Sequence, residues 1–201
     1  TTVNSSPTDI SGQGNHGTMV GATYSPVDKA FNFDGTNDYI QTGILSDMSG
    51  DKAVSYSIWI KVDTLISTMI VALGENGVYT TSQTGGIFMS SNGTLYNTVF
   101  GQGIQVSGAI TSGTWIHIVA TKVPGGSGTG TQTLYINGEM PTQSDWGTTG
   151  TSLTLSNPVI TLGASPTLSQ YFDGKISNFK LYDVALEPSE VRKLYNLGRT
   201  G

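Results

Sequence analysis

The sequence predicts an all-β protein, a sandwich of two antiparallel sheets ending in one short C-terminal helix. Three observations carry that expectation. Apolar and polar residues alternate over many short runs, the period of a half-buried strand. Glycine is abundant, 27 of 201 residues, and charged residues make up only 11%, which suits strands joined by tight turns. Helical spacing occurs once, near the end, at Val191, Leu194 and Tyr195. The length fits a single domain.

In chain order, residues 1–8 are polar and read as a linker or edge segment. Asp9 to Gly17 is a loop rich in Gly and Asn, followed by a short strand from Thr18 to Ala22. Phe31 and Phe33 alternate with polar residues, Asp34-Gly35 is a turn signal, and Tyr39 and Ile40 restart an extended run, so Ala30–Ile40 is a hairpin. Asp34, Asn37 and Asp38 crowd oxygen atoms around its turn, which is either turn chemistry or a calcium site.

Val54–Val62 is the clearest strand, with Tyr56, Ile58, Ile60 and Val62 on one face and Ser57, Trp59 and Lys61 on the other. Met69–Leu73, Gly86–Ser90, Leu95–Phe100 and Ile104–Val106 continue the series. Thr114–Thr121 places Ile116, Ile118 and Ala120 opposite Trp115, His117 and Val119. Pro124–Gly130 is a Gly-rich loop. Thr133–Asn137 closes with the hairpin signal Asn137-Gly138. Trp146 falls in a Thr/Gly-rich loop, and Val159–Leu162 and Lys175–Tyr182 complete roughly a dozen strands. Pro188 fits the first turn of the helix and Gly198 its C′ position.

Composition removes several functions. Net charge is −5 with nine basic residues and no basic cluster, which argues against nucleic acid. No apolar run is long enough for a membrane-spanning helix. The absence of cysteine excludes thiolate chemistry and disulfides. Histidine occurs only at 16 and 117, too few for a zinc site of N/S ligands, and no nucleophile-elbow pattern is present. Glutamate occurs only at 75, 139, 187 and 190, and no Glu-x-Asp-x-x-Glu run is present that would set two carboxylates on the same face of one strand. The chain is expected not to be an enzyme. It opens on Thr1 without a charged and apolar leader, as a piece of a longer protein would.

The landmarks, taken together, resemble a family. Asp9-x-Ser11-Gly12-x-Gly14-Asn15-His16-Gly17 and Ala30-Phe31-x-Phe33-Asp34-Gly35-x-Asn37-Asp38-Tyr39-Ile40 resemble the laminin-G-like, concanavalin A-like jelly roll. Ser57–Lys61, Trp115–Thr121 and Leu134–Glu139 look like its central strands. Phe172–Ile176, Leu181–Leu186 and Glu190–Tyr195 resemble its closing strand and helix. The likeness runs from residue 9 to 198, leaving 199–201 as the start of a linker. The fold class is therefore a two-sheet antiparallel jelly-roll sandwich. The segment 194–201 also resembles the end of such domains in fibre-like proteins of large algal viruses, where an oligomerising stalk follows.

The resemblance implies a lectin-like or adhesion module on an extracellular or virion surface, with a glycan or cell-surface polysaccharide as partner and homo-oligomerisation through regions outside this chain. Sugars present apolar C–H faces and hydroxyl rims, so aromatics beside amides and carboxylates are the candidate site. In one meander Trp59, His117 and Tyr135 share a face, expected to be the concave one, with Glu75, Tyr79, Asn137 and Trp146 at its rim. The competing reading makes Trp59 and Trp115 scaffold residues. The resemblance also implies a structural calcium ion, Ca2+, joining the N-terminal loop to the hairpin through Asp9, Asn15, Asp34, Asp38 and Asp173. Ser177-Asn178 stands where relatives carry acidic residues. A structural domain decorating a fibre or capsid, with protein contacts only, is the alternative function; a glycoside hydrolase or lyase is a third.

Overall fold

A computed structural model describes residues 6–78, 80 and 82–199. Fourteen strands and one helix are present among them: β1 (Gly17–Val20), β2 (Thr23–Ser25), β3 (Ala30–Asp34), β4 (Tyr39–Thr42), β5 (Val54–Val62), β6 (Thr68–Glu75), β7 (Thr84–Met89), β8 (Leu95–Val99), β9 (Gln102–Val106), β10 (Trp115–Lys122), β11 (Gln132–Ile136), β12 (Ser144–Trp146), β13 (Pro158–Leu162), β14 (Asp173–Tyr182) and α1 (Pro188–Arg199).

The strands form two antiparallel sheets. One has eight strands in the order β1-β4-β13-β6-β7-β8-β9-β12; the other has six in the order β11-β10-β5-β14-β3-β2. The expected two-sheet sandwich with a C-terminal helix is the observed architecture. The hairpin at 30–40 behaves differently from expectation in one respect. Its two strands do not pair with each other: β3 lies between β14 and β2 in the six-stranded sheet, while β4 lies between β1 and β13 in the other. Asp34–Asp38 is thus a crossing between sheets, and Phe33 and Ile40 meet in the core from opposite sides.

That core lies between the sheets. The inward alternation of β5 delivers Tyr56, Ile58, Ile60 and Val62, and β10 adds Ile116, Ile118 and Ala120, as their spacing predicts. The opposing sheet contributes Ile70, Leu73, Ile87, Met89, Leu95, Val99 and Ile104. One polar group is admitted. Asn97 points inward from β8 and its Nδ2 donates across the sandwich to the carbonyl of Thr121, at 2.8 Å. Gln132 Nε2 donates in turn to Asn97 Oδ1 at 3.1 Å, so the buried amides satisfy each other and tie the sheets together.

The six-stranded sheet would still expose apolar side chains on its outer face. Helix α1 and the connection before it cover them: Val191 and Leu194 of the helix and Leu186 pack on Val119 and Tyr135. The helix start is capped by Glu190, whose Oε2 accepts the backbone N–H of Glu187 at 2.9 Å. Ser55 fixes the connection, since its hydroxyl donates to Val184 O at 2.7 Å and accepts from Leu186 N at 3.0 Å.

Gly198 is not the C′ residue its spacing predicts; it lies inside α1, over the indole of Trp59. A Cβ there would stand 2.1 Å from Trp59 Nε1, so only glycine lets the helix approach this closely. Gly198→Ala should therefore lower the melting temperature by about 2–4 °C, although helix propensity alone favours alanine by ~1 kcal/mol. A thermal scan followed by tryptophan fluorescence checks this; an unchanged or higher melting temperature would show that the helix is not held by this contact.

Candidate functional site

The structure first relocates the expected aromatic platform. Trp59, His117 and Tyr135 do share one face of adjacent strands, through the pairs His117↔Trp59 and Val119↔Tyr135. That face is not an open concavity but the floor under α1. Tyr195 of the helix stacks on Trp59 with ring centroids 5.7 Å apart and on His117 at 6.0 Å, and Trp59 and His117 lie 5.1 Å apart. The reason is apolar coverage: the apolar stripe of α1 buries its own surface by lying on these side chains. Asn137 belongs to the same region as a hairpin residue with φ +53°, and its Oδ1 accepts the backbone N–H of His117 at 3.0 Å.

His117 is 1% exposed. Ser57 Oγ and His117 Nε2 are joined by a 2.9 Å hydrogen bond, and Nδ1 has no partner among the described residues, nor has Trp59 Nε1. Burial, and then the Lys180 ammonium, push the imidazole down to about 4. The unfolded chain binds a proton near pH 6.5 while the folded chain refuses it. Stability contributed by neutral His117 is therefore full above that pH and is lost as pH falls from about 6.5 to 4, by up to ~3 kcal/mol. His117→Gln, which keeps an amide near Ser57, should narrow the gap in melting temperature to the parent over this window; parallel curves would count against a buried neutral imidazole.

Glu75 and Trp146 lie on the other sheet. Glu75 Oε1 accepts the backbone N–H groups of Ser156 and Asn157, at 2.5 and 3.1 Å, which fixes the approach to β13. It borders a recess of about 550 Å³ with Gln41, Asn76, Asn157, Ile44 and Val159. Gln41 Nε2 donates to Thr161 Oγ1 at 3.0 Å and to Asn76 Oδ1 at 3.4 Å. Tyr79 lies outside the described residues.

Trp146 is not in a loop but ends β12, the edge strand of the eight-stranded sheet. There it meets two aromatics that sequence reasoning did not select. Tyr96 stands 4.5 Å from Trp146 and 5.5 Å from Phe88, centroid to centroid. The ladder explains the grouping: Phe88 is directly opposite Tyr96, Tyr96 opposite Gln105, and Trp146 opposite Gly103. These side chains point away from the core cluster, to which none of the three belongs. Phe88 and Trp146 remain partly exposed. Gly147, at φ +69°, lets the chain after Trp146 press on the β8–β9 turn; a Cβ there would lie 2.4 Å from Gly101 O.

The same outer face connects both features. Direct cross-strand neighbours run Gln41–Thr161–Ala72–Gly86–Thr98–Gly103–Trp146, a row that spans seven strands or roughly 29 Å. Amides sit at one end, aromatics at the other, and small residues lie between. No carboxylate occurs on the outer face of β6, β7, β8 or β9, where the register places Ala72, Gly74, Thr84, Gly86, Phe88, Tyr96, Thr98, Gly103 and Gln105.

The expected calcium ligands do not form one set. Asp9 closes its own loop: Oδ1 accepts Ser11 N and Oδ2 accepts Asn15 N, both at 2.8 Å, and the Ser11 side chain, then these backbone donors, hold the carboxyl below the usual carboxylate range. That loop enters β1 at Gly17, opposite Thr42, whereas Asp34–Asp38 lies at the Val20 end of the same ladder. Asp34 Oδ1 accepts Thr36 N at 2.8 Å, and Asp38 Oδ2 accepts Asp34 N at 3.0 Å. Asp38 is buried against Gly21, and burial raises its carboxyl. Asp173 pairs with Asp34 in the β14–β3 ladder. Among the described residues no three Asp, Glu or His side chains gather around a point that would hold a metal. The donors named by sequence thus do not fit one calcium site. Ser177-Asn178 forms a β-bulge, with Asn178 at φ +51°. Chelator should leave the thermal transition in place; a fall on chelation, reversed by calcium, would restore the ion.

The chain belongs to the concanavalin A-like lectin/glucanases superfamily: the Laminin_G_3 family matches residues 34–192. No curated protein matches it. Among solved structures it is similar to domain 4 of AbnA, an extracellular family GH43 arabinanase from Geobacillus stearothermophilus, in complex with arabinotriose. Identity is 22%, coverage 94% of this chain and 93% of that one, and the TM-score 0.62. It is also similar to the binding domain of botulinum neurotoxin DC in complex with SialylT (19%, TM-score 0.64, 94% of this chain and 48% of that one). The binding domain of Paraclostridial Mosquitocidal Protein 1 is a third (19%, TM-score 0.66, 98% and 51%). The chain spans about half the length of these toxin domains. At these identities the likeness establishes the jelly-roll fold.

Proposed function

We propose that this domain is a non-catalytic carbohydrate-binding module of a larger extracellular or virion surface protein, and that it holds its glycan on the outer face of the eight-stranded sheet. The observation that carries the reading is the Phe88–Tyr96–Trp146 group, with centroid spacings of 5.5 and 4.5 Å on a partly exposed sheet face. Aromatic rings offer an apolar surface to the C–H face of a sugar. The amide-lined recess at Gln41, Asn76 and Asn157 supplies donors and acceptors for hydroxyls further along the same row.

The absence of carboxylates from the central outer face supports binding without hydrolysis, since glycoside cleavage needs two placed carboxyl groups. Domain 4 of an arabinanase in complex with arabinotriose and a toxin binding domain in complex with SialylT share the fold, which adds support for a glycan partner.

Calorimetric titration against a panel of neutral polysaccharides tests the proposal. Trp146→Ala should weaken binding by about tenfold or more, equivalent to ~1.4 kcal/mol, with little change in melting temperature because Trp146 lies outside the core cluster. Unaltered affinity in this variant, or no binding across the panel by the parent, would overturn the reading.

A further inference from the structure

The opposite face of the molecule carries a second group that the first reading does not use. Cross-strand register makes Trp115, Lys61, Lys175 and Asn32 direct neighbours on β10, β5, β14 and β3. Alternation places them on the outer face of the six-stranded sheet, one row beyond Trp59 and Ser177 and hence beyond Gly198, the α1 residue over Trp59. All four remain partly exposed.

Two ammonium groups directly opposite each other across a ladder repel. Only one is paired: Lys175 Nζ lies 2.5 Å from Asp28 Oδ2, and that contact holds Asp28 below the usual carboxylate range. Lys61 makes no salt bridge among the described residues. Lys29 stands beside the same face, its carbonyl accepting Ser177 Oγ at 2.7 Å, and Lys180 follows on β14. Lys61 and Lys175 thus face each other with the salt-bridged Asp28 at their side, while Asp173, paired with Asp34, lies one row further along the same face.

We propose that Trp115, Lys61 and Lys175 form a second saccharide subsite, selective for a sugar bearing a carboxylate or sulfate group. The anion lies between the two ammonium groups and relieves their repulsion. The pyranose ring lies on the Trp115 indole, and Asn32, whose Nδ2 donates to Thr23 O at 3.3 Å, offers its Oδ1 to a hydroxyl. The subsite is independent of Phe88, Tyr96 and Trp146, which are on the other sheet.

The test is titration of the full chain with polygalacturonate, dextran sulfate and neutral dextran at low and high ionic strength. At least one acidic polymer should bind, more weakly as salt rises, and the tighter of the two identifies the anion. Lys61→Gln breaks no salt bridge, so it should fold as the parent does yet bind the acidic polymer about tenfold more weakly. Asp28→Asn, which removes the competing carboxylate, should tighten binding, and Trp146→Ala should leave it unchanged. The proposal falls if neither acidic polymer binds, if Lys61→Gln binds like the parent, or if Trp146→Ala abolishes acidic binding.

Discussion

Docking of α1 on Trp59, His117 and Tyr135 decides which surfaces of this molecule are available for recognition. A sandwich buries the inner faces of its sheets by pairing them. The six-stranded sheet also carries aromatic and apolar side chains on its outer face, and these need a cover. Val191, Leu194 and Tyr195 provide it, and Gly198 allows the last turn to lie against the indole. The cost is local: Trp59 Nε1 and His117 Nδ1 have no partner among the described residues, and burial disfavours the protonated imidazole. With that face occupied, the open half of the same sheet and the outer face of the eight-stranded sheet remain.

The two remaining surfaces differ in chemistry because their ladders place different residues side by side. On β7, β8 and β12 the register gathers Phe88, Tyr96 and Trp146 beside residues without charge, which suits neutral sugar rings. On β5 and β14 it sets Lys61 against Lys175 next to Trp115, which suits an acidic one. Neither arrangement affects the core, where the Asn97–Gln132–Thr121 group named above links the sheets. Recognition can therefore vary on either outer face while the inner packing is held constant.

Much of the fold was legible in the sequence. The alternation in Val54–Val62 and Thr114–Thr121 assigned inward and outward residues correctly, and the helical spacing at 191–195 located α1. The hairpin at 30–40 was legible as two strands and a turn but not as a crossing between sheets, because strand partners are set by distant segments, β14 for β3 and β13 for β4. The acidic turn was ambiguous for a related reason. Oxygen-rich loops serve turns and ions alike, and the backbone donors that occupy Asp9 and Asp34 are visible only once the chain is folded.

The sequence by itself determined the class of fold, the two faces of the central strands and the absence of a thiol, since these depend on composition and on local periodicity. It also singled out Trp146. Only the tertiary structure decided that Trp146 joins Tyr96 and Phe88 while His117 is buried and Trp59 is stacked against a helix. Alternation states which side of a strand a residue faces; it does not state what else will pack there. That is fixed by long-range pairing of strands and by where the last twelve-residue helix returns to lie.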